Sequence, residues 1–237
     1  MWNNNAAKNK IKIEVIARLT NNEEVIKYAA EYKGPMYIRL ARTSVYDVFD
    51  DDYKFSPEKA HIYKEGKDVT LVTNGETLVE VIDAAEILKA KGIDAEIIHL
   101  PVVKPIDKDS LVQSAAKTKF VITVENHSII GGLGSAVCES VCKTNPCPVS
   151  IIGTDRFGQS GKPQELFVEY GLTPENIAKV AKETIAKKAW GIIMDKSPVM
   201  LAPAYKDNID LFDLTSSWLF DIILSSQDFF FFNIVLL

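Results

Sequence analysis

The middle of the chain alternates short apolar runs with segments in which apolar residues recur at helical spacing. The apolar runs predict strands at Val69 to Thr73, Ala95 to His99, Phe120 to Val124 and Val149 to Ile152. Most of these runs are uninterrupted, as in FVITV, which is typical of strands covered on both faces. The alternation predicts an α/β fold with a mostly parallel sheet flanked by helices on both faces.

The first two predicted helices carry start and stop signals. One begins at TLVE, a capping box in which Thr77 is the expected cap, and it ends before Gly92. The next runs from about Asp107 to Lys117, after a turn at Lys104 and Pro105. The residues expected to face inward from this second helix are Leu111, Val112, Ala115 and Ala116.

Two further helices follow the same logic. One opens at the glycines of GGLGS, and the other opens at Thr173 with Pro174 in its first turn. The inward residues predicted for the first are Leu133, Val137 and Val141, and those for the second are Ile177, Ala181 and Ile185.

The two ends of the chain differ from this middle part. Upstream, EEVIKYAAEYKGPMYIRLAR predicts a helix, a break at Gly34 and Pro35, and a strand ending at Arg42, as at the end of another α/β unit. The acidic DVFDDDYKF is then the expected linker, which gives predicted domains of 1–55, 56–188 and 189–237. The last of these has no predicted fold, and its FFFF run favours aggregation unless it is packed.

Composition and charge argue against several classes of function for this chain. The chain has 237 residues, 47% of them hydrophobic, which is enough for a real core. Its net charge of -5 is spread over mixed residues, which argues against nucleic acid or an anionic membrane as partner. The apolar C-terminus is shorter than the roughly 20 residues that span a bilayer. With no signal-like run at the N-terminus, we expect a cytoplasmic protein without a membrane span.

The three cysteines crowd into one stretch of the sequence. Cys138, Cys142 and Cys147 fit neither a disulfide framework nor paired zinc-ligand spacing, so we expect reduced thiols. Cys138 and Cys142 lie one helical turn apart, which favours apolar filling of a helix face over metal binding.

The segment VITVENHSIIGGLGSAV could carry chemistry. A strand, a GxG turn at Gly132 and Gly134, a helix and Asp155 about 20 residues later are ingredients of a dinucleotide site. However, Val137 replaces the third glycine, and the motif lies on a late strand. Glycines that permit a tight turn and close helix packing are the favoured alternative.

A resemblance carries more information than this spacing. GPMYIRLAR, EGKDVTLVTNG, HLPVVKPID, VTVENHSIIGGLGSAV and DRFGQSGKPQELFVEYGLT are similar, in order, to the C-terminal region of transketolases. The resemblance covers roughly Glu23 to Ala186. Deoxyxylulose phosphate synthases and the beta chains of 2-oxoacid dehydrogenases share the GGxGS turn, but SGKPQEL and IIGGLGSAV favour transketolase, in particular the kind encoded as separate sections.

This resemblance implies ketol transfer between sugar phosphates, as in the pentose phosphate pathway. Thiamine diphosphate and Mg²⁺ would be bound by other domains, because the family's diphosphate-site GDG motif and its activating glutamate have no counterpart here. No catalytic residue is assigned, and the chain is not expected to be active alone. The implied partners are a transketolase N-terminal section and the pyrimidine-binding domain, in a dimer or other homo- or hetero-oligomer. The alternative is a non-catalytic assembly or remnant module of a related thiamine enzyme.

One substrate-binding residue is implied. Arg42 matches the family position whose arginine holds the substrate phosphate, and a planar guanidinium suits phosphate because it makes two charge-assisted hydrogen bonds. A solvated arginine at a strand end is the alternative, and Arg39 is expected to be structural.

An interface or site-edge role is predicted around the end of the third strand of the main sheet. His127 beside Glu125 lies where open α/β sheets place ligands, whereas His61 and His99 are expected to be satisfied, half-buried imidazoles. Glu125 could equally be a carboxylate stabilised at a helix N-terminus. The residues assigned to this edge are Glu125, His127, Gly131, Gly132 and Gly134. The later polar loop with Asp155, Arg156, Ser160 and Lys162 is expected to contact another subunit or solvent.

Overall fold

The structure is a computed structural model that describes residues 12–16, 22–34, 36–40, 48–49 and 53–195. Side chains are described for 25–34, 36–39, 48–49 and 53–186. By internal contacts the chain divides into two compact units, Met1–Lys188 and Ala189–Leu237. Arg42 and residues 196–237 lie outside the described residues, and the predicted domain boundaries stay predictions.

The predicted helices and strands occur in the predicted order, and the structure adds strands at Lys12–Ile16 and Val102–Lys104 and a helix at Pro163–Glu169 that were not predicted. The strands are β1 (Lys12–Ile16), β2 (Met36–Leu40), β3 (His61–Lys64), β4 (Val69–Thr73), β5 (Ala95–His99), β6 (Val102–Lys104), β7 (Val121–Ser128) and β8 (Val149–Thr154). The helices are α1 (Asn22–Glu31), α2 (Leu78–Lys89), α3 (Lys108–Thr118), α4 (Leu133–Val141), α5 (Pro163–Glu169) and α6 (Pro174–Asp195). Among these helices, none has the length and apolarity to cross a membrane.

The main sheet has the strand order β3-β5-β4-β7-β8. β5, β4, β7 and β8 pair in parallel, and β3 pairs antiparallel at one edge. The predicted α/β class with a mostly parallel sheet is therefore confirmed. β7 and β8 run beyond their predicted ends at Val124 and Ile152, because pairing resumes after an irregularity at Ser128 and Thr154.

Two apolar layers cover the sheet. Since side chains alternate along each strand, neighbouring residues such as Leu71 and Val72 enter opposite layers. Helices α2 and α6 build one layer, and α3 and α4 build the other. Core residues of the first layer include Leu71, Leu78, Leu88, Ile97, Ile122, Ile177 and Ala181. Those of the second include Val72, Ile98, Leu111, Ala115, Leu133, Val137 and Val141.

Two local predictions are wrong. Thr77 makes no capping hydrogen bond from its side chain, because a 3-10 turn (Gly75–Thr77) precedes α2 and the hydroxyl turns toward Asn74 and Thr73. Ala116 is exposed rather than inward. The buried stripe of α3 consists of Leu111, Ser114, Ala115 and Thr118.

The N-terminal strands β1 and β2 form a second, three-stranded sheet together with β6 from the middle of the chain, in the order β2-β1-β6. β1 pairs in parallel with β2 and antiparallel with β6.

The predicted acidic linker also contributes to the main core, because Phe49 is 8% exposed and stacks on Tyr53 with ring centroids 4.2 Å apart.

A buried ion pair gives a testable stability effect. Glu96 of β5 is fully buried, its Oε1 lies 2.5 Å from Lys117 Nζ, and its Oε2 accepts a hydrogen bond from Thr70. Lys117→Met leaves this carboxylate without its cation. Because Lys117 is partly exposed and water screens the pair, we expect a loss of about 2 kcal/mol in the free energy of unfolding.

Urea denaturation would measure this loss. The matched control is Lys89→Met, which removes the exposed pair with Glu86 and should change stability by less than about 0.5 kcal/mol. Equal effects of the two variants would contradict a special role for the buried pair.

Candidate functional site at the carboxyl edge of the sheet

The strand order reverses between β4 and β7, and open α/β sheets usually bind ligands in the crevice at such a point. In this protein the side-chain hydroxyl groups of Thr73 and Thr77 occupy that crevice. The Thr77 Oγ1, which is fully buried, lies 2.7 Å from the Thr73 Oγ1, 2.8 Å from Asn74 O and 3.2 Å from Val124 O. These contacts tie the end of β4 to the end of β7.

Glu125 occupies the other side of this crevice. β7 has an irregularity in its pairing with β8 between Val124 and Ser128, and such irregularities redirect side chains. The Glu125 side chain is 1% exposed; its Oε2 accepts from Leu133 N at 2.7 Å and its Oε1 accepts from Gly134 N at 2.8 Å. The interpretation of Glu125 as a carboxylate held at a helix N-terminus is thus confirmed.

Two opposing effects act on the pKa of Glu125. Burial raises it, and the amide hydrogen bonds from Gly134 and Leu133 and the nearby His127 and Arg39 oppose the rise. Burial prevails, so the pKa lies above the ordinary glutamate value.

The glycines of the motif have separate structural reasons. Gly131 has φ +73°, a conformation that favours glycine, and a Cβ on Gly132 would overlap the Glu125 carboxylate. A Cβ on Gly134 would lie 2.5 Å from Ile151 Cγ2 of β8. The prediction of a tight turn and close helix packing is confirmed. A dinucleotide site gains no support, because Glu125 already holds the amides that would bind a pyrophosphate.

His127 and Arg39 lie at the same edge. His127 is exposed, with Nδ1 3.3 Å from Ser128 O. Arg39 of β2 donates from Nη2 to Asn126 O at 3.0 Å, which connects the N-terminal sheet to the end of β7. The interface or site-edge role of Glu125, His127 and the glycines stays a prediction.

His99 differs from its prediction. It is 3% exposed, and neither ring nitrogen has a hydrogen-bond partner, so it is neither half-buried nor satisfied. Burial, together with the facing His61, lowers the pKa of His99 to about 3, and burial also lowers the pKa of His61. Phe49 covers the pair, with ring centroids 4.9 Å from His61 and 5.3 Å from His99. No sequence pattern indicates this cover, because Phe49 lies in an acidic segment that resembles a linker.

The three cysteines are free in the structure. Cys142 is exposed, whereas Cys138 and Cys147 are partly covered, and burial raises the pKa of both thiols. Within the described ranges, no three His, Cys, Asp or Glu side chains are grouped so that they could hold a metal ion.

Comparison with known proteins assigns the family. Residues 58–177, just over half of the chain, match the family described as "Transketolase, C-terminal domain". The chain therefore belongs to the transketolase C-terminal domain family.

Individual relatives agree with this family. A protein of Methanocaldococcus jannaschii named as a transketolase C-terminal section is 41% identical over 71% of this chain and 54% of its own length. One of the apulose-4-phosphate transketolase chains of Phocaeicola vulgatus is 38% identical over 69% of this chain and 53% of its own length. This chain thus spans about half the length of the curated relatives it matches.

A solved structure is similar over the same region. It is described as a split gene transketolase, inactive beta4 tetramer, and it is 39% identical with a TM-score of 0.72. The similarity covers 75% of this chain and 58% of that one. Fold and family therefore agree with the resemblance found in the sequence.

Transketolases use thiamine diphosphate, so its fit to this edge can be tested. A bound diphosphate would need free amide donors, as at the first turn of a helix. At α4 those donors already bind Glu125, and the hydroxyls of Thr73 and Thr77 bond to each other. The described residues at this edge therefore do not fit the cofactor.

Proposed function

We infer that the chain acts as the C-terminal section of a transketolase and supports ketol transfer between sugar phosphates as part of a larger assembly. Thiamine diphosphate and Mg²⁺ are bound there by the pyrophosphate- and pyrimidine-binding domains. This chain contributes domain packing, contacts with other subunits and the phosphate-binding Arg42. The observation that carries the proposal is the family match combined with a ligand crevice that the chain fills with Thr77 and Glu125.

Reconstitution tests this division of roles. The full chain is mixed with a transketolase N-terminal section, a pyrimidine-binding domain, thiamine diphosphate, Mg²⁺ and a pentose phosphate donor. We expect ketol transfer only when all protein parts and the cofactor are present. Turnover by this chain with the cofactor alone, or tight magnesium-dependent uptake of thiamine diphosphate in calorimetry, would contradict the proposal.

Arg42 gives a sharper prediction in the complete assembly. Arg42→Ala removes a charge-assisted contact to the substrate phosphate, so we expect KM for a phosphorylated acceptor to rise by about ten- to hundredfold. An unphosphorylated acceptor is the control, and its KM should change little. Steady-state kinetics with both acceptors measures the difference, and an equal rise for the two would show that Arg42 is structural.

A second candidate function is a non-catalytic assembly module of a thiamine enzyme. The similarity to a chain described as an inactive tetramer supports this second function. Full assembly without any stimulation of turnover would select it over the first.

Free thiols at all three cysteines also suit a reducing compartment such as the cytoplasm, which we propose as the location.

A further inference from the structure

Three thiols gather where helix α4 ends and strand β8 begins. Cys142 directly follows α4 and is exposed, whereas Cys138 and Cys147 are partly covered. The proposed ketol-transfer role uses none of them. A reversible oxidation site needs an accessible thiol that reacts first and a neighbouring thiol that then forms a disulfide with it. The question is therefore which of the two covered thiols could serve Cys142 in this way.

The backbone returns Cys147 to the end of α4. Thr144 N and Asn145 N both donate to Val141 O, at 3.2 Å and 2.9 Å, so the chain turns sharply directly after Cys142. Cys147 then packs against the second apolar layer, to which Val141 belongs. The side chain of Cys147 and the residue before Cys142 therefore contact the same layer.

The Cys142 thiol also lies close enough to Cys147 to affect its ionisation. Burial raises the pKa of Cys147, and a negative charge on Cys142 raises this pKa further, whereas the Lys119 ammonium opposes the rise. Lys119 is near because Val121 N donates to Pro148 O at 3.1 Å, which brings the segments before β7 and β8 side by side. A cation beside Cys147 favours its thiolate, which is the form that attacks another sulfur.

Helix geometry argues against Cys138 as the partner of Cys142. Residues four apart in a helix have Cβ atoms about 5–6 Å apart, whereas a disulfide needs Cβ atoms roughly 3.5–4.5 Å apart. Cys142 N donates to Cys138 O at 2.9 Å, so the helical hydrogen bond that maintains this spacing is intact. Cys147 lies outside helix and strand, in a segment without such a constraint. Cys147 is therefore the favoured partner.

We propose that Cys142 and Cys147 form a reversible oxidation site that reacts with hydrogen peroxide and closes to a disulfide across the turn after α4. This inference goes beyond the proposed ketol-transfer role and does not depend on it. The disulfide would join the end of α4 to the segment that enters β8. Transient disulfides of this kind occur in otherwise reducing compartments.

The reaction has two steps. The Cys142 thiolate attacks one oxygen of the peroxide, so an S–O bond forms, the O–O bond breaks and hydroxide leaves. The Cys147 thiolate then attacks the Cys142 sulfur, so an S–S bond forms, the S–O bond breaks and a second hydroxide leaves. The proton of each thiol ends on a hydroxide as water. The peroxide is reduced by the two electrons that the pair of thiols gives up.

Peptide mapping of the oxidised protein tests the proposal. The reduced full chain is treated with hydrogen peroxide, denatured, alkylated and analysed by mass spectrometry. We expect peptides joined through Cys142 and Cys147, alkylation of Cys138 alone, and alkylation of all three cysteines after treatment with a dithiol reductant. The matched control is Cys138→Ser, which should form the same disulfide.

Two further variants separate the steps. In Cys147→Ser we expect Cys142 to accumulate as a sulfenic acid that dimedone labels, and further peroxide should carry it to a sulfinic acid that the reductant does not restore. Cys142→Ser should leave Cys147 open to alkylation after the same treatment. Circular dichroism and thermal unfolding establish that the variants fold, and the mapping of the wild-type chain needs no variant.

Several results would overturn the proposal. One is a disulfide that joins Cys138 to Cys142, or one that joins two chains in place of the link within one chain. Another is a wild-type Cys142 that proceeds directly to sulfinic acid, since Cys147 would then be out of reach. Thiols that all stay reduced at a peroxide concentration that oxidises free cysteine would also contradict the proposed site.

Discussion

Gly132→Ala should destabilise the protein by about 3 kcal/mol, although Gly132 has an ordinary extended backbone conformation. The expected loss of stability has a steric cause. A methyl group at this position would overlap the Glu125 carboxylate and lie 2.5 Å from Ser128 O. Either the carboxylate leaves the Leu133 and Gly134 amides or the turn moves, and both outcomes lose buried hydrogen bonds. The midpoint of urea unfolding measures the change.

Gly158→Ala is the matched control for this substitution. Gly158 lies in an exposed loop, a Cβ there would meet no atom within 4 Å, and the expected change is less than about 0.5 kcal/mol. A Gly132 variant as stable as the Gly158 variant would show that the Glu125 carboxylate can leave the crevice without cost.

His99 should make the folded state sensitive to acid. Burial lowers the pKa of His99 to about 3, whereas the unfolded chain titrates near 6.5. The unfolded state therefore binds the proton first, and the stability present above about pH 6.5 is lost as pH falls toward 3. One such group contributes a slope of up to about 1.4 kcal/mol per pH unit in that window.

His99→Leu should remove this contribution. Near neutral pH the variant should match or exceed the wild-type stability, because an apolar group of similar size replaces two buried nitrogens that lack partners. Urea unfolding from pH 7 to pH 4 compares the two proteins. His127→Leu is the control, since it removes a histidine from the surface and leaves the buried His99 in place, so the acid-dependent loss of stability assigned to His99 should remain. The same slope in His99→Leu would contradict a neutral buried His99.

Sequence patterns predicted the main sheet well because its strands are covered on both faces. The bounds predicted from the runs VTLVT and AEIIH agree with β4 and β5, and every residue of both strands is buried. Local signals also located Gly92 at the end of α2, where φ is +75°. They failed at Thr77, because a hydroxyl that suits a cap also suits the contact with Thr73 that closes the crevice. A local pattern cannot choose between two such partners.

The sequence indicated which residues lie at this edge of the sheet but not how they are arranged, and their role as an interface or site edge stays a prediction. The glycines, Glu125 and His127 were singled out because a strand is followed directly by a glycine turn and a helix. That the carboxylate binds the α4 amides, and so replaces a ligand there, follows only from the redirected end of β7. Arg39 of β2 reaches Asn126 O across 87 positions of sequence, and no spacing rule connects residues so far apart.

By itself, the sequence determined the α/β class, the order of most elements and the family resemblance, since these depend on short-range periodicity and on motifs of adjacent residues. The tertiary structure decided which polar groups find partners inside the protein. Phe49 covers His99, Thr77 and Glu125 fill the ligand crevice, and Phe157 stays in solvent. Each of these outcomes depends on contacts between distant segments, which form only when the helices pack on the sheet.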